Sequence, residues 1–182
     1  MPSAILNILI AILVCQAVAR HARKLGAVAL RYFTVLSNLL CAASCLLVAA
    51  MGLNHSIWHW ALTLKFVATV SVMVTLLTVF VFLLPQFGAK FLLTGPDFWL
   101  HLACPLLALT TYLLWDRLVL TALAALLGVV PVLLYGIIYM TQVVFCRKWE
   151  DFYGFNRGGK WPVSFAVMLI ATALLSLLLA SV

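Results

Sequence analysis

The sequence predicts an all-α, polytopic membrane protein with six transmembrane helices in one bundle. Of its 182 residues, 67% are hydrophobic and 8% are charged, whereas soluble proteins are about half apolar and about a quarter charged. The mean hydropathy is +1.24. So few charged side chains do not cover a soluble globule of 20.0 kDa. We therefore expect residues 1–182 to form a single six-helix transmembrane domain.

Six apolar runs are long enough to cross a bilayer, which takes about 20 helical residues. The first run is short, but its basic cluster follows the apolar stretch, so we expect a span rather than a signal peptide. Pro105 and Pro131 fall inside runs four and five, where each should kink its helix and free a carbonyl group one turn earlier. The runs cover 4–19, 28–52, 64–84, 97–115, 118–145 and 162–182.

The basic residues fall mainly on one side of these spans. Nine of the 11 Lys and Arg residues lie on the side that follows spans one, three and five, which we call face B; Lys65 and Arg117 lie on the opposite side, face A. Because Lys and Arg are retained in cytoplasmic loops, face B is predicted to be cytoplasmic and both termini external. The nine are Arg20, Arg23, Lys24, Arg31, Lys90, Arg147, Lys148, Arg157 and Lys160.

The net charge of +7 follows from these basic loops and does not indicate nucleic-acid binding. We expect membrane lipids as partners, and a location in the bacterial cytoplasmic membrane, or in the endoplasmic reticulum membrane of a eukaryote. No glycine-rich phosphate loop is present, and no cofactor is expected. His55 and His59 have a metal-ligand spacing but lack a third ligand nearby, so no metal site is predicted.

Span two carries polar residues on one helical face. Arg31, Thr34, Asn38, Cys41 and Cys45 follow one another at spacings of three or four, which places them on the same side of a helix. Polar groups in a span default to functional candidates, because the bilayer disfavours them. Hydrogen bonds between helices explain Thr34 and Asn38 equally well.

Span four repeats the pattern with Asp97, His101 and Cys104. From the predicted span starts, Thr34 lies about 9 Å and His101 about 6 Å from face B, so the hydroxyl and the imidazole lie at similar depth. Histidine can take a proton from a hydroxyl nucleophile and return it to a leaving group. The alternative is a neutral, buried histidine that is hydrogen-bonded to a carbonyl group.

These residues resemble a known family. Two short motifs carry the resemblance: the Arg-Tyr-Phe-Thr sequence of residues 31–34, and His101 with Pro105 one turn later. They are similar to motifs of the androgen-induced-protein family of multipass membrane hydrolases. The sequence from Asn38 onward looks closer to the bacterial members of that family. In that family a threonine is the nucleophile, a histidine is its partner, and the substrates are fatty-acid esters of hydroxy fatty acids. The resemblance implies that Thr34 is the nucleophile and His101 the base.

Further residues are candidates for the same site. Arg31, Asn38 and Tyr139 are candidates for orienting the substrate or stabilising an oxyanion, although Tyr139 also suits a helix-bridging role. Cys104 is an alternative nucleophile, because a distant membrane family of similar architecture transfers acyl groups through a cysteine. As a small buried residue, Cys104 fits simple packing as well.

The loop between spans five and six lies on face B. Tyr153 and Asn156 are its candidate substrate contacts. A loop that only anchors the protein to anionic headgroups through its basic residues is the alternative.

The sequence thus favours an intramembrane hydrolase of lipid acyl esters. Two alternatives stay open: a non-catalytic small transporter or helper protein that uses the polar stripes as a pathway, and a cysteine-dependent acyltransferase.

The charge distribution predicts the topology. A reporter fused after Val182 should be external, and a cysteine placed at Gly158, with Cys146 changed to Ser, should resist an impermeant thiol reagent added from outside. External labelling of position 158 together with an internal reporter would contradict the assignment of face B to the cytoplasm.

Overall fold

The computed structural model describes residues 2–50, 58–92 and 94–182, which contain helices, turns and loops but no strand. Six helices in these ranges are long and apolar enough to cross a membrane. The prediction of an all-α polytopic membrane protein is therefore confirmed. The helices are α1 (Pro2–Leu25), α2 (Phe33–Ala50), α3 (Trp58–Phe87), α4 (Gly95–Leu114), α5 (Ala122–Phe145) and α6 (Trp161–Ser181).

Several helix ends differ from the predicted ones. α1 continues to Leu25 and is followed by a 3-10 turn, Gly26–Arg31, so α2 begins at Phe33 instead of at 28. Gly26 has a φ of 61°, a left-handed conformation that commonly ends helices. At its other end α3 begins by Trp58 instead of at 64, since interfacial aromatic residues let a helix extend beyond the hydrocarbon.

Helix geometry changes immediately before prolines inside the spans. A π turn covers Val79–Leu83 two residues before Pro85, and another covers Trp99–Ala103 two residues before Pro105. Pro131 instead follows a 3-10 turn, Leu126–Val129. Proline lacks an N–H group and its ring clashes with a carbonyl group one turn earlier, so the preceding turn widens or tightens.

The first compact unit covers Met1–Val119 and contains α1 to α4. In sequence order each helix packs on the next, and α4 packs back on α1. Small apolar side chains from all four helices fill the interior, which lets the backbones approach closely. This central cluster consists of Ile10, Ala11, Val14, Cys41, Ala42, Cys45, Ala68, Val72, Cys104 and Ala108.

The second compact unit covers Leu120–Val182 and contains α5, α6 and the loop between them. Ser176 Oγ on α6 donates to the carbonyl oxygen of Ala125 on α5 at 2.5 Å. Gly136 lies against the ring of Phe165, where an added Cβ atom would be 2.2 Å from Cε2. The prediction of one domain over residues 1–182 stays a prediction.

The contact between Gly136 and Phe165 predicts that replacing Gly136 by alanine lowers the stability of the protein, although this replacement usually stabilises a helix. Alanine favours a helix over glycine by about 1 kcal/mol, whereas overpacking costs about 1–3 kcal/mol, so Gly136→Ala should destabilise the protein. In a Phe165→Leu background, with less ring volume in the way, the same change should be neutral or stabilising. Reversible unfolding in mixed micelles measures both, and equal effects in the two backgrounds would disprove the close packing.

Candidate functional site

Thr34 and Asn38 lie on the first two turns of α2, and both side chains are buried. Asn38 Nδ2 donates to the Thr34 carbonyl oxygen at 2.8 Å and to the Leu100 carbonyl oxygen of α4 at 3.0 Å. One amide group therefore joins the backbone of Thr34 to the residue that precedes His101. The interhelical hydrogen bond predicted for the polar face of span two is present at Asn38.

The Leu100 carbonyl group needs this side-chain donor because of the π turn and Pro105. In an α-helix it would accept from the Cys104 N–H group, but that group is directed at the Trp99 carbonyl oxygen. In π geometry its donor would be residue 105, and proline has no N–H group. Asn38 therefore supplies a donor that the backbone of α4 does not, and the predicted free carbonyl near Pro105 is confirmed.

This bridge places Thr34 and His101 at the same level of the four-helix unit. Both side chains are 8% exposed, and the carbonyl oxygens of Thr34 and Leu100 both lie within 3.0 Å of one nitrogen atom. His101 lies in the π turn itself, a helix irregularity that is frequent at functional sites. The similar depth expected from the sequence thus holds, although the span starts used to derive it were wrong.

Asn38 does not have the free donor that an oxyanion-stabilising residue needs. Both amide hydrogens point to backbone carbonyl groups. Its Oδ1 atom is buried and has no hydrogen-bond partner among the described residues. An amide oxygen accepts hydrogen bonds and cannot stabilise negative charge. The two amide hydrogens are thus used by carbonyl groups, and of the two roles considered for Asn38 the orienting one is compatible with this geometry.

Arg31 is not part of the buried face of α2. It lies at the end of the 3-10 turn before α2 and is exposed. The extended backbone of Tyr32, with φ −92° and ψ 129°, interrupts the helical spacing between Arg31 and Thr34. Its predicted place on one stripe with Thr34 and Asn38 is therefore wrong, because that stripe assumed a continuous helix.

Asp97 pairs with a residue of α1 and not with the rest of its own helix face. Its Oδ1 atom lies 3.2 Å from His21 Nδ1, and the ring of Tyr32 packs edge-on against His21 with centroids 6.1 Å apart. These contacts join the face B ends of α1 and α4 beside the start of α2.

Cys104 is fully buried in the central apolar cluster with Cys41 and Cys45. The surrounding side chains are mainly alanine and valine. This position matches the packing role that the sequence left open for Cys104, and it offers no hydrogen-bonding base to activate the thiol among the described contacts.

Tyr139 uses its hydroxyl group within the second unit. The hydroxyl donates to Asp151 Oδ1 at 2.8 Å and accepts from the Tyr153 backbone N–H group at 3.2 Å. A phenol has one proton, and here the carboxylate of Asp151 takes it. In this arrangement the Tyr139 proton is directed to Asp151, and the oxyanion role expected for Tyr139 stays a prediction.

Asp151 organises the loop that contains Tyr153 and Asn156. Its carboxylate also accepts from the backbone N–H groups of Phe155 at 2.9 Å and Asn156 at 2.8 Å. The buried ring of Tyr153 packs on Tyr139 with centroids 5.4 Å apart. Tyr153 thus has a clear packing role, and Asn156 holds the loop through its backbone.

The first unit contains a buried polar network that was not predicted from the sequence. Lys65 is 0% exposed and Asp116 is 2% exposed. Lys65 Nζ donates to Asn7 Oδ1 at 2.7 Å and to Cys45 Sγ at 3.0 Å, and it lies 4.0 Å from Asp116 Oδ2. Asn7 Nδ2 and Ser3 Oγ donate to the two oxygens of Asp116 at 2.8 and 2.5 Å.

The sequence contains the pattern that indicates this network, but the predicted helix start concealed it. Because span three was predicted to begin at residue 64, Lys65 was placed at the membrane surface and assigned to face A. Because α3 begins by Trp58, Lys65 lies about 10 Å along the helix axis from Trp58. A lysine inside a span and Asn7 inside another are the pattern that indicates a buried polar cluster.

The histidine pair considered for metal binding is only partly covered. His55 lies outside the described residues, and His59 is exposed on the first turn of α3. Within the described ranges, no three His, Cys, Asp or Glu side chains converge in an arrangement that could hold a metal ion.

Comparison with known proteins yields no match to a family model, a curated protein or a solved structure.

The bridge through Asn38 predicts coupling with Pro105. Asn38→Ala removes the side-chain donor of the buried Leu100 carbonyl group, whereas the Thr34 carbonyl group keeps the Ser37 hydroxyl. The change should therefore destabilise the protein by about 1–3 kcal/mol. Pro105→Ala restores a backbone N–H group, so the cost of Asn38→Ala should fall clearly in that background. A double-mutant cycle of unfolding free energies measures the coupling.

Ser44→Ala is the matched control, because Ser44 Oγ donates only within its own helix in the described structure, to the Cys41 carbonyl oxygen. It should show no coupling to Pro105→Ala. Additive effects of Asn38→Ala and Pro105→Ala would contradict the role given to the Leu100 carbonyl group.

Proposed function

We propose that the protein is an intramembrane hydrolase of lipid acyl esters in which Thr34 is the nucleophile and His101 the general base. The observation that carries the proposal is the Asn38 amide, which hydrogen-bonds the backbone of Thr34 and of Leu100. It brings a buried hydroxyl group and a buried imidazole to one level of the four-helix unit. The substrate class, fatty-acid esters of hydroxy fatty acids or similar lipid esters, comes from the family resemblance.

In the first step, Thr34 Oγ1 attacks the ester carbonyl carbon and its proton passes to the His101 imidazole. The C–O bond of the tetrahedral intermediate then breaks, and the leaving alcohol takes the proton from His101. In the second step, His101 takes a proton from water, which attacks the acyl-threonine ester and releases the fatty acid. The proton returns to Thr34.

The oxyanion needs donors other than Asn38 and Arg31. Thr34 is the second residue of α2, and the first N–H groups of a helix lack intrahelical acceptors, whereas the N–H groups of Val35 and Leu36 already donate to the Tyr32 carbonyl oxygen. They also lie at the positive end of the helix dipole. We assign oxyanion stabilisation to this first turn of α2, with the Asn38 amide as the group that positions it beside α4.

A small transporter is the second candidate, and fully buried Lys65 is the observation in its favour, because charged side chains inside spans often mark ion or substrate pathways. The hydrogen bonds of Lys65 to Asn7 and Cys45 also suit a purely structural network. Solute uptake into proteoliposomes without any ester cleavage would favour this candidate over the hydrolase.

Labelling with a lipophilic fluorophosphonate tests the nucleophile. The activated Thr34 oxygen should displace fluoride and form a covalent adduct, located by peptide mass spectrometry, in protein held in lipid nanodiscs. Thr34→Ala should abolish both the adduct and ester hydrolysis. His101→Ala should slow both by about 100-fold or more, and the double variant should be no worse than Thr34→Ala, because nucleophile and base act as one unit.

Thr111→Ala is the matched control. Thr111 is also buried, and its hydroxyl donates within α4 to Ala108, so this variant should keep full labelling and turnover, as should Cys104→Ala. The threonine assignment would be refuted if the Thr34→Ala protein folds, as judged by thermal scanning, and still hydrolyses esters at the wild-type rate.

A further inference from the structure

Two ends of the loop between α5 and α6 come together at the face B end of the second unit. The ring of Phe145, the last residue of α5, packs edge-on against the ring of Trp161, the first residue of α6, with centroids 5.7 Å apart. Arg147 follows Phe145 by two positions, and Lys160 directly precedes Trp161. Because successive Cα atoms are about 3.8 Å apart, both basic residues lie near this aromatic contact.

The basic side chains of this loop are exposed. None of Arg147, Lys148 and Lys160 forms a salt bridge with another described residue. Arg157 lies across the turn at Gly154, where an added Cβ atom would be 2.9 Å from its Nε atom. We call these four exposed residues the basic surface: Arg147, Lys148, Arg157 and Lys160.

The acidic residues of the loop leave this surface positive. The carboxylate of Asp151 accepts hydrogen bonds from the Tyr139 hydroxyl and from the backbone N–H groups of Phe155 and Asn156, so its charge is used within the loop. Glu150 is the other acidic residue, and it is exposed. One exposed carboxylate therefore stands against four exposed basic side chains.

Arg147 has a backbone conformation that favours glycine. Its φ is 53°, and it is the one non-glycine residue with a positive φ in the described ranges. This left-handed residue ends α5, and the N–H group of Lys148 returns to the Gln142 carbonyl oxygen at 2.8 Å. Glycine would form the same turn with less strain, so the turn alone does not explain an arginine. Backbone strain of this kind is typical of functional positions.

Apolar side chains continue from the basic surface along both spans. Phe145 on the last turn of α5 and Val163 on the first turn of α6 are both strongly exposed. A ligand that has an anionic headgroup and acyl chains matches the basic surface and these side chains together. A free phosphate ion matches only the basic part.

We propose that the basic surface binds the phosphate group of an anionic phospholipid, whose acyl chains lie along the exposed apolar side chains at the ends of α5 and α6. Arg147 and Lys160 hold the phosphate oxygens from the two ends of the loop. Lys148 and Arg157 add to the attraction, as basic clusters beside a span do for anionic lipids. The contacts that build this site all lie in the second unit, so the proposal is independent of Thr34 and His101.

Native mass spectrometry of the full chain in a neutral detergent measures the lipid preference. Dioleoylphosphatidylglycerol and dioleoylphosphatidylcholine have the same acyl chains and differ in headgroup charge. We expect the phosphatidylglycerol to bind about tenfold more tightly or better, and the difference to shrink as the salt concentration rises, because salt screens exposed charges. Equal affinity for the two lipids would overturn the proposal.

Arg147→Gly separates the charge from folding, because glycine suits the left-handed position and the protein should keep its thermal stability. The affinity for phosphatidylglycerol should fall about fivefold, and Lys160→Gln should have a similar effect. Unchanged affinity in both variants would contradict the site.

Arg23→Gln is the matched control. Arg23 is an exposed basic residue in the last turn of α1, in the first unit, and its replacement removes the same charge. The affinity for phosphatidylglycerol should stay at the wild-type value. If Arg23→Gln weakens binding as much as Arg147→Gly does, the lipid responds to net charge only, and the proposal of a site in the loop fails.

Competition with glycerol 3-phosphate distinguishes a lipid site from a phosphate site. This compound has the phosphate group of the lipid but no acyl chain. In large molar excess it should leave most of the phosphatidylglycerol bound, because it makes no contact with the apolar side chains. Complete displacement at constant ionic strength would show that the headgroup alone is recognised, and the assignment of a phospholipid would be wrong.

Discussion

A backbone carbonyl group that loses its donor inside a bilayer must find another donor within the protein, because no water is available in the hydrocarbon. Pro105 and the π turn before it leave the Leu100 carbonyl group in this situation. Asn38 provides the donor from α2. The same hydrogen bond ties two helices together and determines which residues of α2 and α4 lie level with each other, so the arrangement of Thr34 and His101 depends on it.

The same constraint applies to the buried charge of Lys65, in the half of the first unit that is nearer to face A. An isolated ammonium group in an apolar interior is very unfavourable, and Lys65 is stabilised by an amide oxygen, a sulfur atom and a nearby carboxylate. These partners come from α1, α2 and the segment after α4. These contacts are distinct from those of Asn38, whose amide group donates to the carbonyl oxygens of Thr34 and Leu100.

Roles assigned from spacing alone failed wherever the helix was not regular. Arg31 matched the spacing of Thr34 and Asn38, but a 3-10 turn and an extended Tyr32 separate it from α2. Asn38 and Tyr139 were correctly expected to face protein. Spacing gives no information on which hydrogens are already used, and in both residues the donors are bonded to other groups.

The sequence by itself determined the solvent and the class of fold. Six apolar runs with few charges have no stable alternative to membrane-spanning helices, because every backbone group must be satisfied within its own segment. Pro105 and Pro131 also marked two places where the helix geometry changes. Only the tertiary structure decided the partners: Asn38 with Leu100, Asp97 with His21, and Lys65 with Asn7 and Cys45. These contacts join residues distant in the chain, and they depend on helix ends and on π and 3-10 turns that shift side chains around the axis, which periodicity alone does not reveal.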